Sequence, residues 1–107
     1  MQIYLLTVIT AVSLSAATPE WTRANNLYQR TEYQQSLAIL EAAPVKDAAT
    51  LQLTGQDLFM LGEYKKASET FEKAAALDPN NPKLIHWLGR AYGRRAETSN
   101  PDRKSVV

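Results

Sequence analysis

The chain repeats itself. Laying Glu32-Tyr33 over Glu63-Tyr64 also superposes Ala24 on Gly55, Leu27 on Leu58, Tyr28 on Phe59, Leu40 on Phe71, Glu41 on Glu72 and Ala43 on Ala74, all at one constant offset. Further on, Leu88-Gly89 and Tyr92 stand in the same relation to Thr54-Gly55 and Leu58, at an offset longer by almost a helical turn. A period of this kind, here about 34 residues, belongs to stacked-repeat architectures, in which each small unit buries its apolar face only against its neighbours. With 107 residues there is material for one small domain of this kind and no second one.

The repeating unit reads as helical. Thr18-Pro19-Glu20 supplies an N-cap, a proline at the first helical position and an early acid, and Asp47 and Asn81-Pro82 supply further starts. Stops fall at Pro44, at Gly62 and at Asp78-Pro79, and no segment shows the two-residue alternation of a half-buried strand. The punctuation predicts helices near 19–30, 33–43, 48–61, 64–77 and 82–96. The connections are short, so neighbouring helices run antiparallel, and the fold class is all-α.

The second unit, from about Ala48 to Asn81, resembles a tetratricopeptide repeat (TPR). Gly55 stands at that family's small-residue position, Tyr64 opens the second helix, and Ala67, Phe71, Ala74 and Pro79 reproduce its A-x3-F, A and P elements. Leu88-Gly89-x-x-Tyr92 resembles the first helix of another repeat. The first unit is degenerate, with Ser36 and Leu40 in place of alanine and an aromatic residue, and its shorter offset implies a second helix trimmed by about a turn before Pro44. The resemblance implies antiparallel helical hairpins stacked as a short TPR-type solenoid of about two and a half repeats. Its units span about 18–47, 48–81 and 82–97, and a polar, proline-broken tail over 98–107 is expected to be flexible.

The N-terminus carries a different signal. Ile3 to Leu14 is an uncharged, mostly apolar run, too short to cross a hydrocarbon core of about 30 Å as a helix, and it ends in Ser15-Ala16-Ala17. That pattern predicts a signal peptide over residues 1–17, cleaved after Ala17, with export to the periplasm or outside and no stable membrane span. No basic residue precedes the apolar run, and the rival readings are a first buried helix or an uncleaved tether.

Chemistry is scarce along the chain. There is no cysteine, so disulfides and thiolate metal sites are excluded. No acyl-transfer elbow, phosphate loop or dinucleotide fingerprint is present, and His86 is the single histidine. No catalytic residue, metal or cofactor is therefore assigned. Twelve basic against eleven acidic residues leave a net charge of +1, without the field that gathers nucleic acid. Arg90, Arg94, Arg95, Arg103 and Lys104 form a solvated cationic end, and nucleic acid is not expected as a partner.

Binding of a protein or peptide remains. In the family that the second unit resembles, first helices line a concave surface, which implies a groove of Trp21, Asn25 and Tyr28, then Gln52, Gln56 and Met60, then Lys83, His86, Arg90 and Arg94. The resemblance does not extend to the clamp some members close on a terminal carboxylate: Asn25 and Lys83 match it, but Trp21, Leu53 and Trp87 occupy the other positions. On the last helix, Ile85, Leu88, Gly89, Tyr92 and Ala96 form a helical stripe expected to pack on the preceding hairpin. Trp87 would then face outward or line the groove, and that end of the molecule is expected to self-associate or dock a partner. The alternative reading is a fragment of a longer repeat array with much of its binding surface elsewhere.

Overall fold

Each helix begins and ends on a local device, and these devices set the architecture. The structure, a computed structural model, describes residues 17–99. The signal-peptide reading falls on residues 1–17, of which 1–16 lie outside the described residues, as do 100–107. Among the described residues there are five helices and no strand: α1 (Pro19–Gln29), α2 (Tyr33–Ala42), α3 (Ala48–Met60), α4 (Tyr64–Leu77) and α5 (Pro82–Ser99). None of them is long and apolar enough to cross a membrane. The all-α hairpin stack expected from the repeat is the fold observed, and α5 runs on to Ser99, so Thr98 and Ser99 are helical and not part of a tail.

Thr18 caps α1 by accepting from the Trp21 amide at 3.0 Å, and Asp47 caps α3 by accepting from the Thr50 amide at 2.9 Å. Asn81 does the same for α5, its Oδ1 accepting from the amides of Lys83 and Leu84 at 3.1 and 3.2 Å. At the other end of α2, the Lys46 ammonium donates to the carbonyls of Leu40, Glu41 and Ala43 at 2.8–2.9 Å. A cation placed there satisfies carbonyls that the helix itself leaves without donors and opposes the negative end of its dipole.

Both hairpins turn in the same way. The Glu63 amide donates to the Leu58 carbonyl and the Gly62 amide to the Phe59 carbonyl, and the first unit repeats the pattern with Glu32 to Leu27 and Thr31 to Tyr28. These are Schellman turns, which require a left-handed residue: Gly62 at φ 84° in one, Thr31 at φ 61° in the other. Beside each turn an aromatic pair meets edge to face, Tyr28 with Tyr33 and Phe59 with Tyr64, ring centres 5.4 and 5.2 Å apart.

The helices pack chiefly on their neighbours in sequence, with slighter contacts from α1 to α3 and from α3 to α5. The larger core gathers Leu58, Phe59, Phe71, Leu84, Trp87 and Ala91, and a smaller one holds Ala24, Leu40 and Leu53 between the first and second units. Gly55 permits the tight α3–α4 approach, because a Cβ there would sit 2.5 Å from the Phe71 ring.

The face of α5 that packs inward is not the one expected. Leu84, Trp87 and Ala91 are buried, whereas Ile85 and Tyr92 are 53% and 44% exposed. Trp87 is core: its ring stacks on Phe71 at 5.9 Å and meets Phe59 edge to face at 5.4 Å. The repeat explains the correction. Leu84, Trp87 and Ala91 lie one full period after Thr50, Leu53 and Asp57, the α3 residues buried toward the preceding hairpin. Ile85, Gly89 and Tyr92 lie the same period after Leu51, Gly55 and Leu58, which face α3's own partner α4.

Candidate partner-binding groove

The first helices of the three units, α1, α3 and α5, share one face of the molecule, and a recess of about 430 Å³ opens along it. Seven of the residues expected to form a groove line it: Trp21, Asn25, Tyr28, Gln52, Gln56, Lys83 and Trp87. The remaining four, Met60, His86, Arg90 and Arg94, do not. Gln29, Ala49 and Leu53 also line it, outside the set expected from the sequence. Helical spacing would have found two of them, since Gln29 lies one turn after Asn25 and Ala49 one turn before Gln52.

Trp21 is held in place by its indole N–H, which donates to the Ala49 carbonyl of α3 at 3.2 Å. A chain of carboxamides runs across from the α4–α5 turn. Asn81 Nδ2 donates to Gln52 Oε1 at 3.3 Å, and Gln52 Nε2 donates to Gln56 Oε1 at 3.1 Å. Each amide thereby fixes the orientation of the next, so the recess presents both donors and acceptors in defined places. Burial raises the Tyr28 hydroxyl above its ordinary pKa, against the opposite pull of a hydrogen bond with Gln56, so the phenol is neutral at physiological pH.

Arg90 and Arg94 are committed elsewhere. The Arg90 guanidinium lies 4.5 Å from the Trp87 ring and 4.8 Å from Phe59, and that of Arg94 lies 4.6 Å from Tyr64. His86 is exposed and outside the recess. Among the described residues no group of three or more histidine, cysteine, aspartate or glutamate side chains could hold a metal ion.

Among the described residues, the paired helices with a recess along their first members form a helical-repeat stack. A family model for the TPR repeat matches residues 55–95, from the close-approach glycine of α3 through α4 and most of α5. The match covers less than half of the chain and agrees with the helical hairpins seen there. No curated protein and no solved structure matches the chain.

Proposed function

We propose that this chain is an exported, non-catalytic scaffold that docks a segment of a partner protein in the groove of α1, α3 and α5. The observation that carries the proposal is the convergence of Trp21, Asn25, Tyr28, Gln52, Gln56, Lys83 and Trp87 on one recess. Aromatic walls supply contact area at small entropic cost, and oriented carboxamides match the alternating donors and acceptors of an extended backbone. With Lys83 the only charged residue lining it among the described residues, the recess favours an uncharged or weakly acidic segment.

The test is selection of random displayed peptides against residues 18–107, followed by binding to a variant carrying Asn25→Ala, Gln52→Ala and Tyr28→Ala. Enriched peptides should bind this variant at least about fivefold more weakly, the scale of one or two lost hydrogen bonds. Equal binding, or no enrichment, sinks the proposal. Export rests on the apolar run before Ser15-Ala16-Ala17. N-terminal sequencing of exported protein should return Thr18, which leaves the α1 cap in place; recovery of Met1 in the soluble cytoplasmic fraction would refute it.

A further inference from the structure

The internal repeat leaves one packing surface of α5 without its counterpart among the described residues. In the second unit, Leu51, Gly55 and Leu58 of α3 receive α4, and the Phe71 ring occupies the space beside Gly55 so closely that a Cβ would overlap it. The equivalents one period on are Ile85, Gly89 and Tyr92. Leu58 is 6% exposed, but Tyr92 is 44% and Ile85 53% exposed, and apart from Gly89's chain neighbours and the surrounding α5 backbone no described atom lies within 4 Å of a Cβ placed on Gly89. With Ala96 these residues make a flank with no charged side chain on a helix otherwise rich in arginine; Leu88 borders it, packed partly on the core, and the Tyr92 hydroxyl donates to the Glu72 carboxylate of α4 at its edge.

We infer that this flank, centred on Gly89, docks an amphipathic helix of another polypeptide that carries the Ala-x3-aromatic-x2-Ala pattern of α4. Continuity with the α3–α4 interface identifies the occupant: the pattern that fills the Gly55 face is Ala67, Phe71 and Ala74, all fully buried. A second copy of the chain has no spare helix of this pattern among its described residues, because its own Phe71 is seated on its own Gly55. The flank is separate from the recess of α1, α3 and α5, so the two proposals stand or fall apart.

The probe is a fluorescent peptide reproducing Tyr64–Leu77, with Lys65 and Glu69 joined as a lactam on its outer face to hold the helix. It should bind the chain saturably by anisotropy, and Phe71→Ala in the peptide should abolish binding. Gly89→Leu in the chain should weaken binding by about tenfold or more, the effect of filling a close-contact site. The same substitution should leave the melting temperature of the free chain unchanged or raised, since a leucine there meets open space and favours helix. Gly55→Leu, which collides with Phe71, should instead lower the melting temperature, confirming that the two equivalent glycines differ in having a partner. No saturable binding up to millimolar peptide, or binding indifferent to Gly89→Leu, overturns the inference. So does sedimentation showing that the chain alone forms a dimer that Gly89→Leu dissolves, because the occupant would then be a second copy.

Discussion

Asp57 is completely buried between the first and second units, where its Oδ2 accepts from the Ser36 hydroxyl at 2.5 Å and its Oδ1 has no hydrogen-bond partner among the described residues. Desolvation pushes its carboxyl up to about 7 from an ordinary 3.8, with the Ser36 hydrogen bond pulling the other way. The folded chain therefore binds more protons than the unfolded one between these values, and unfolding free energy falls as pH rises from about 4 to about 7, then levels. The loss should be on the order of 4 kcal/mol, following from about 1.4 kcal/mol per pKa unit. Urea melts across this range should show the decline, and Asp57→Asn, which cannot ionise, should remove it. A wild-type stability that rises over the same window would contradict the assignment. At the next interface the equivalent positions are Ala67 and Ala91, both fully buried, so the same packing is met there without a polar pair.

At the scale of the element, the two hairpin turns are one geometry written in two residues. Gly62 adopts its left-handed conformation freely, whereas Thr31 places a β-branched side chain where steric strain is about 1–2 kcal/mol. Thr31→Gly should therefore stabilise the chain by about 0.5–1 kcal/mol after the added flexibility of the unfolded state, an increase of a few degrees in melting temperature. Gly62→Thr should do the opposite, and a thermal melt in which both changes lower stability would mean the turns are not equivalent. Such turns, caps and prolines act within a few residues, which is why the sequence marks the helices to within a residue or so, apart from the end of α5. The faces of α5 were less legible. Leu84-Trp87-Ala91 and Ile85-Leu88-Tyr92 both satisfy helical spacing, and periodicity shows that a stripe is apolar without showing which neighbour it meets. The guide was the register with α3, but there the inward positions Thr50 and Asp57 are polar, so the equivalence is hidden from a reading by hydrophobicity. The recess was legible where helical position alone decides it, at Asn25, Gln52 and Gln56. It was not where stacking on aromatic rings draws Arg90 and Arg94 away.

Across the whole molecule, Trp87 is the residue through which α3, α4 and α5 become one core, touching Phe59 on the first and Phe71 on the second. Trp87→Ala should destabilise the chain by about 3–5 kcal/mol, the usual result of emptying a large aromatic site. That is a large part of the roughly 5–15 kcal/mol available to a small domain, so partial unfolding at room temperature is expected. In a Trp21→Phe background the emission of Trp87 should be shielded from iodide; free quenching, or a penalty below about 1 kcal/mol, would place the ring outside the core. Beyond this shared residue, the helices still meet mainly their nearest neighbours along the chain. Contacts of that kind close short loops, so little chain entropy is lost before the first of them forms, and folding should be rapid and begin locally. The same connectivity grades the opening of the molecule: α1 rests on α2 and more lightly on α3, α5 rests on α4 and more lightly on α3, while α3 and α4 are flanked on both sides, so opening should start at the two end helices and reach the central hairpin last.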